Sequence, residues 1–213
     1  MNEKQRMSKI LDILSNEYTN VKIQLNFSNP FELLIATILS AQCTDERVNK
    51  VTPSLFEKYK KPEDYVNVPI EKLEKEIFST GYYKAKAKHI KEMSEMILKQ
   101  YNGEVPSQLE ELIKLPGVGR KTANVVLGHC YSVPAIVVDT HVIKISNRLG
   151  FVSTKNAEII ERKLMELIPK EKWVIFTHYF ISHGRKVCTA RNPKCNECVI
   201  SQYCKYYLEN IKN

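Results

Sequence analysis

Apolar residues recur along most of the chain at the three- and four-residue spacing that places them on one face of a helix. The residues on these predicted faces are Met7, Ile10, Leu11, Leu14 and Tyr18; Ile90, Met93, Ile97 and Tyr101; Leu109, Leu112 and Ile113; Val142, Ile145 and Leu149; and Ile160, Leu164, Leu167 and Ile168. Residues 31–41 are apolar on nearly every side, which is typical of a helix buried inside a bundle. Residues 133–138, VPAIVV, fit a short strand or an extended connector equally well. The pattern therefore predicts an all-α protein.

Composition and charge narrow the functional classes. With 213 residues, of which 43% are hydrophobic and 26% charged, the chain can bury a core in one large or two small domains, which excludes a disordered protein. A formal net charge of +8 favours a polyanionic partner, either nucleic acid or an anionic membrane surface. Because no segment resembles a signal peptide or a membrane span, we expect a cytoplasmic protein that is not secreted. In that reducing compartment, six cysteines indicate metal binding or catalysis more than disulfides.

A glycine turn at residues 115–119, LPGVG, lies between a short amphipathic helix and a second helix predicted from Arg120 to Gly128. Glycine allows the backbone to turn sharply and to approach a ligand closely. The free amides of the turn and of the following helix N-terminus would suit a phosphate oxygen. The alternative is an ordinary corner between two helices, and the two glycines alone favour that alternative.

Two charged residues near this turn are candidates for chemistry. Lys121 lies in the first turn of the predicted helix, where the positive potential and partial burial would favour the neutral, nucleophilic amine. Asp139, in the segment VVDTH, would cap the next helix and could also accept a proton or stabilise a developing positive charge. The plain alternatives are a surface lysine and a capping aspartate without a further role.

Four cysteines, Cys188, Cys195, Cys198 and Cys204, form a C-x6-C-x2-C-x5-C pattern. Four thiols this close can hold zinc or an iron–sulfur cluster, and the spacing alone does not decide between them. Four cations near these cysteines would either contact phosphates or remain solvated; they are Arg185, Lys186, Arg191 and Lys194. The two remaining cysteines, Cys43 and Cys130, are predicted to be small buried apolar residues.

Three segments together resemble the endonuclease III family of DNA glycosylases. LPGVGRKTANVVL resembles its helix–hairpin–helix motif, the cysteine pattern after His183-Gly184-Arg185 resembles its [4Fe–4S] loop, and LSAQCTD is similar to its LSAQ-x-TD segment. The resemblance extends from Leu33 to Cys204. It implies two helical domains flanking a DNA-binding cleft. These are a six-helix domain at 22–132, with the hairpin at about 108–128, and a cluster domain formed by 1–21 and 133–213, into which the predicted helices at 4–18 and 157–182 fit.

The resemblance also implies roles for individual residues. Lys121 and Asp139 are the catalytic pair, the four cysteines bind the cluster, and Gln42 fills the gap left by an extruded base. Tyr82 stands where the family has a wedging leucine, although an aromatic ring can still stack on bases. The further DNA contacts expected are Asp45, Lys84, Leu115, Gly117, Val118, Gly119, Arg120, Thr122, His141, Arg185, Arg191 and Lys194. Four lysines after Tyr82 would line the same DNA path or form one exposed helix face; they are Lys84, Lys86, Lys88 and Lys91.

The function implied is that of a bifunctional DNA glycosylase and abasic-site lyase of base excision repair. It would excise oxidised pyrimidines through a lysine Schiff base and cleave the 3′ side of the abasic site by β-elimination. Its partner would be double-stranded DNA with damaged bases or abasic sites, and it would not bind a membrane. The protein would act as a monomer, and in a bacterium it would be associated with the nucleoid. The alternatives are a monofunctional mismatch-adenine glycosylase, which lacks a lysine at this position, and a non-catalytic DNA-binding module with a structural metal such as zinc.

Overall fold

The structure is a computed structural model that describes residues 1–211. Within this range the chain forms twelve α-helices joined by loops and single 3₁₀ turns, and it contains no β-strand. The helices are α1 Glu3–Glu17, α2 Pro30–Ser40, α3 Asp45–Lys58, α4 Pro62–Asn67, α5 Ile70–Ile77, α6 Tyr83–Tyr101, α7 Leu109–Leu112, α8 Arg120–Cys130, α9 Thr140–Leu149, α10 Ala157–Leu167, α11 Trp173–Lys186 and α12 Lys205–Asn210. The all-α prediction is confirmed.

The helices group into two compact units. The first, which we call the hairpin unit, spans Gln24–Val133 and contains α2 to α8. The second, the cysteine unit, combines Met1–Ile23 with the chain from Pro134 onward and contains α1 and α9 to α12. The sequence-based boundaries were 22–132 for one domain and 1–21 with 133–213 for the other, and residues 212 and 213 lie outside the described range.

Helix α2 is the centre of the hairpin unit. Asn29 caps its N-terminus by accepting a hydrogen bond from the Glu32 amide, and Pro30 occupies the first helical position, where its missing N–H costs nothing. Phe31 and all residues from Leu33 to Leu39 are buried, because α3, α6 and α8 pack around the helix. The predicted burial of this segment is therefore confirmed, and its C-terminal end opens directly into the loop that carries Gln42.

The cysteine unit is built on a separate apolar core. It is formed by the predicted face of α1 together with buried residues of α9, α10 and α11, including Val142, Leu164 and Phe176. The single helix predicted over 157–182 is wrong, because the structure divides it into α10 and α11 at Ile168 and Pro169. Proline lacks the N–H that would continue the helix and disfavours helical geometry in the residue before it.

Residues 133–138 form an extended connector, so the alternative of a strand is not realised. Ala135 to Val138 are buried, and the Val137 amide donates to the Thr177 hydroxyl at 3.2 Å. This buried connector ends at Asp139 and so fixes the position of its carboxylate at the start of α9. Among residues 1–211, no helix is both long and apolar enough to cross a bilayer.

Candidate functional site

The glycine turn of the hairpin unit is held from inside by its two apolar residues. Leu115 and Val118 are buried, and the Val118 amide donates to the Leu115 carbonyl at 3.0 Å, which closes the turn. The expectation of free amides throughout the turn is therefore wrong at Val118. Any contact of Leu115 or Val118 with a ligand must use other backbone atoms, since their side chains face the core.

The two glycines of the turn differ in whether the fold requires glycine at their position. Gly117 has a φ of +77°, and a Cβ built on it would lie 2.8 Å from the Cβ of His89, so both conformation and packing require glycine. Gly119 has a φ of −88°, and a Cβ there would meet nothing within 4 Å. The fold does not require glycine at 119, so the open space beside it remains accessible to a ligand.

Helix α8 begins at this open position with an uncapped N-terminus. Gly119 is the N-cap residue, no side-chain hydrogen bond caps the helix, and its first turn contains no acidic residue. The first amides of a helix have no carbonyl within the helix to bind, so they are available to an anion. Lys121 lies in this first turn and is exposed, which makes the partial burial expected for it wrong. Arg120 is exposed and Thr122 half-buried in the same turn.

Asp139 in the cysteine unit is the N-cap of α9 and is held by three hydrogen bonds. Its Oδ1 accepts from the amides of His141 and Val142, both at 2.9 Å, and its Oδ2 lies 2.8 Å from His141 Nδ1. An ionised carboxylate only accepts hydrogen bonds, so Nδ1 of the histidine carries the proton. The side chain of Asp139 is 12% exposed. The cap and the imidazole together fix the orientation of a carboxylate that retains access to solvent.

The His141 ring rests on Gly184 of α11. A Cβ at position 184 would lie 2.7 Å from the ring's Cδ2 atom, so glycine leaves the space that the imidazole fills. The sequence places these two residues far apart and offers no signal of this contact. Gly184 is thus a residue of the site that sequence reasoning assigned only to a motif.

Four exposed residues of the hairpin unit other than glycine adopt left-handed backbone conformations: Gln42, Tyr82, Asn102 and Ser132. Gln42, just beyond α2, has a φ of 54°, and Tyr82, just before α6, has a φ of 48° and is 66% exposed. This conformation is unfavourable for residues other than glycine and is often found at functional sites. Beside Tyr82, the rings of Phe78 and Tyr83 lie 4.8 Å apart. Both turns therefore present a long polar or aromatic side chain outward.

The four lysines after Tyr82 do not share one environment. Lys84 and Lys88 are exposed, whereas Lys86 is 4% exposed. Lys86 donates to the carbonyls of Leu39 and Thr80, and Lys91 donates to three carbonyls at the end of α4. The expectation that all four line one path or one exposed face is wrong for Lys86 and Lys91, because their ammonium groups pair with backbone carbonyls. Asp45, another predicted contact, is half-buried at the start of α3.

In the cysteine unit, the four patterned thiols line one pocket. Arg148 of α9 donates to Cys188 Sγ at 3.1 Å and to the carbonyls of Thr189 and Ala190. His183 lies between the Tyr18 hydroxyl, 3.0 Å from Nδ1, and Cys198 Sγ, 3.5 Å from Nε2. Sequence reasoning missed the roles of Arg148 and His183, because both contacts depend on helix packing.

The donor set suits a cationic metal group. Burial raises the pKa of the Cys198 thiol to about 11 and also raises the pKa of Cys195 and of Cys204. A metal that binds these sulfurs supplies the positive charge needed to displace their protons. Within residues 1–211, no three His, Cys, Asp or Glu side chains are arranged to hold a single ion. The four thiols line one pocket, which is compatible with a metal group that is bound by four cysteines.

The remaining predicted cations and cysteines are near the surface. Arg185, Arg191 and Lys194 are exposed, and the Lys194 ammonium lies 4.0 Å from Glu197. The Lys186 ammonium instead stands 5.4 Å from the centre of the Tyr18 ring. Cys43 and Cys130 are half-exposed, so the prediction that both are buried is wrong. Each lies close to the end of a helix, where packing is incomplete.

Two family models match the chain. Residues 35–170 match the model of the HhH-GPD superfamily base excision DNA repair protein. Residues 188–204, which hold the four cysteines, match the iron–sulfur binding domain of endonuclease III. The second match covers the pocket described above, so the cofactor of this loop is a [4Fe–4S] cluster.

Several known proteins are similar over almost the full length. Endonuclease III of Bacillus subtilis is 50% identical over 196 residues, covering 92% of this chain and 90% of that protein. A solved structure of a non-covalent endonuclease III–DNA complex is 47% identical and superposes with a TM-score of 0.94 over 100% of both chains. A trapped endonuclease III–DNA covalent intermediate is 48% identical, with a TM-score of 0.92 over 98% of both chains.

The two glycines of the turn give a first prediction. Gly117→Ala should lower the free energy of unfolding by about 1–3 kcal/mol, because the new methyl group clashes with His89 and the left-handed φ disfavours alanine. Gly119→Ala should change it by less than about 0.5 kcal/mol. Urea denaturation followed by circular dichroism measures both values. Equal destabilisation by the two variants would contradict the different structural reasons given for them.

Proposed function

Since the chain belongs to the endonuclease III family of base excision DNA repair proteins, we propose that Lys121 is its nucleophile and Asp139 the partner carboxylate of that lysine. The protein is a DNA glycosylase and abasic-site lyase that acts on double-stranded DNA. The observation that supports the residue assignment best is the position of Lys121. Its exposed amine stands in the first turn of α8, beside the open space at Gly119 and the uncapped amides of the helix.

The hairpin would bind the DNA backbone next to the reacting nucleotide. Uncapped amides at the start of α8 and the positive end of its dipole suit a phosphate oxygen, and such contacts grip DNA without reading its bases. Exposed cations would add further phosphate contacts; they are Lys84, Arg120, Arg185, Arg191 and Lys194. Because a phosphate bound at Gly119 adjoins the first turn of α8, the amine of Lys121 is brought close to the deoxyribose.

The chemistry begins with the neutral amine of Lys121. Its lone pair attacks C1′ of the deoxyribose, and the damaged base leaves with the electron pair of the C1′–N bond and takes up a proton. Loss of a proton from nitrogen and opening of the sugar ring give a protonated imine. This imine acidifies C2′, and removal of a C2′ proton expels the 3′ phosphate by β-elimination. Water then hydrolyses the imine and releases Lys121.

Asp139 would serve this sequence in two ways. Its carboxylate can accept the proton that the lysine nitrogen loses, and it can stabilise the positive charge that develops at C1′ as the base departs. The two α9 amides and His141 hold it in one orientation, so it requires no reorganisation during the reaction. The first role proposed for His141 is therefore to orient the carboxylate of Asp139. Its Nε2 would contact a phosphate.

Gln42 and Tyr82 would enter the DNA when the damaged nucleotide is extruded. Extrusion costs a few kcal/mol, and the cost is smallest for a weakly paired base. Gln42 would fill the vacated space, and the ring of Tyr82 would stack on a neighbouring base. Both side chains are exposed at turns beside the ends of α2 and α6, which supports roles in binding rather than in the core.

The cluster loop of the cysteine unit would be made rigid by its cofactor. Cys188, Cys195, Cys198 and Cys204 hold the [4Fe–4S] cluster, which when bound cross-links four points of the loop. Arg148 ties this loop to α9, the helix that Asp139 caps. A preference for oxidised pyrimidines, cleavage on the 3′ side, action as a monomer and a cytoplasmic location, in the nucleoid if bacterial, remain predictions of this proposal.

Neither alternative function is favoured. A mismatch-adenine glycosylase would lack the lysine that this chain carries at position 121. A DNA-binding module with structural zinc does not fit residues 188–204, which match an iron–sulfur binding domain.

Borohydride reduction tests the nucleophile. Incubation of the purified holoprotein with a duplex containing one abasic site, in the presence of borohydride, should give a covalent adduct visible on a denaturing gel. Lys121→Ala should reduce the adduct at least about hundredfold, since the neutral amine is the attacking group. Lys99→Ala is the matched control, because it removes an equally exposed lysine near the end of α6. No adduct with the unaltered protein would overturn the lyase activity, and persistence in Lys121→Ala would overturn the assignment of Lys121.

Two substitutions separate the capping role of Asp139 from its chemistry. Asparagine caps helices as well as aspartate but loses the acceptor that faces His141, so Asp139→Asn should lose less stability than Asp139→Ala, which should lose at least about 1 kcal/mol. Both variants should excise bases about 10²–10⁴-fold more slowly, because neither carries the carboxylate. Single-turnover rates and denaturation curves provide the two measurements. Full activity in Asp139→Asn would reduce Asp139 to a helix cap.

A further inference from the structure

Lys86 has a buried ammonium group that the chemistry above does not use. Its Nζ atom donates to the carbonyl of Leu39 and to the carbonyl of Thr80, both at 2.8 Å. Burial lowers the pKa of this lysine, and the nearby Cys43 acts weakly in the opposite direction. A buried cation is costly unless it is paired, so its retention needs a structural or functional reason.

The first of its two partners lies at the C-terminal end of α2. The last four carbonyls of a helix have no amide within the helix to bind, and here each of them has another donor. These donors are the Ser40 hydroxyl for Thr37, the Ala41 amide for Ile38, the Lys86 ammonium for Leu39 and the Cys43 amide for Ser40. The Lys86 contact is thus part of the arrangement that ends α2 and sets the start of the loop at Gln42.

The second partner lies immediately before the turn of Tyr82. Thr80 ends the 3₁₀ turn Phe78–Thr80, and Gly81 and Tyr82 follow with φ values of +70° and +48°. The backbone amide of Lys86 also donates to the Tyr82 carbonyl at 3.1 Å. Lys86 therefore binds Thr80 through its side chain and Tyr82 through its backbone amide, so its two contacts flank Gly81.

We propose that Lys86 is a positioning residue whose ammonium group joins the end of α2 to the Tyr82 turn and so fixes Gln42 and Tyr82 relative to each other. The proposal rests on the roles in DNA proposed for those two residues. Two side chains that enter one duplex must be spaced to match it, and both are connected here through a single nitrogen atom. A small misplacement of such groups lowers the rate without removing any catalytic group.

Lys91 provides a control of the same chemistry on the same helix. Its ammonium donates to the carbonyls of Tyr65, Val66 and Val68, where α4 ends. That region bears neither Gln42 nor Tyr82. Replacing either lysine by methionine removes a cation and leaves backbone carbonyls without a donor. A merely structural role for Lys86 therefore predicts that the two variants behave alike.

The experiment uses a duplex with a stable abasic-site analogue opposite the fluorescent base 2-aminopurine, whose emission rises when the base is unstacked. The unaltered holoprotein and Lys91→Met should both raise the emission at saturating protein. Lys86→Met should raise it much less, and its single-turnover excision of an oxidised pyrimidine should slow by about 10–100-fold. Borohydride trapping at a preformed abasic site, which needs less extrusion, should change far less in Lys86→Met than excision does.

Adding Lys86→Met to a protein that already carries two substitutions tests whether Lys86 acts through Gln42 and Tyr82. If Lys86 acts through Gln42 and Tyr82, Lys86→Met should add little to the loss of emission already caused by Gln42→Ala with Tyr82→Ala. Melting followed by circular dichroism checks that each variant is folded. Lys86→Gln keeps an amide donor on a shorter side chain, so it should recover part of the emission that Lys86→Met loses. If Lys86→Met does not fold, Lys86→Ala and Lys91→Ala, which both remove the donor, are compared in its place. Equal emission and excision in the Lys86 and Lys91 variants would overturn the role of Lys86. No rise in emission with the unaltered protein would instead overturn the proposed roles of Gln42 and Tyr82.

Discussion

The pairing of backbone groups at helix ends is the constraint on which this all-α structure depends. Every helix leaves amides at its start and carbonyls at its end without partners inside the helix. The chain satisfies many of them with side chains, such as Asp139 at the start of α9 and Lys86 at the end of α2. Helix α8 is one of several helices that no side chain caps, and it combines this open end with the open space at Gly119 and with Lys121 in its first turn. The capped ends of α2 and α9 fix the positions of the Gln42 loop and of Asp139, and the open end of α8 is proposed to bind a phosphate of the substrate.

This distribution explains why the proposed functional residues stand at helix ends. Lys121 lies in the first turn of α8, Gln42 follows α2, and Tyr82 precedes α6. A side chain at a helix end projects from a rigid element yet stays accessible, which suits both binding and chemistry. The cluster loop is also held through its backbone. Arg148 of α9 donates hydrogen bonds to Cys188 Sγ and to the Thr189 carbonyl, which joins the loop to that helix. Rigidity at these positions thus comes from hydrogen-bonded backbone at the helix ends, together with the buried Leu115 and Val118 that hold the turn before α8.

Much of the fold and the site could be predicted from sequence, because helical periodicity and closely spaced motifs are local signals. The buried helix at 31–41, the hairpin turn and the four cysteines are of this kind. Contacts between distant segments could not be predicted. Nothing in the sequence indicates that Lys86 binds the Leu39 carbonyl, and its neighbours Lys84 and Lys88 are exposed, so four similar lysines appeared equivalent. The exposure of Lys121 was also misjudged, because burial depends on how segments pack.

The central claim is that Lys121 carries the covalent chemistry, and peptide mapping of the reduced adduct tests it most directly. The holoprotein is trapped with borohydride on an abasic duplex, digested with nuclease and protease, and examined by mass spectrometry. Because Lys121 is proposed to attack C1′, the added sugar fragment should lie on the side chain of Lys121. A fragment on the N-terminal amine or on another lysine, such as Lys84, would contradict the claim.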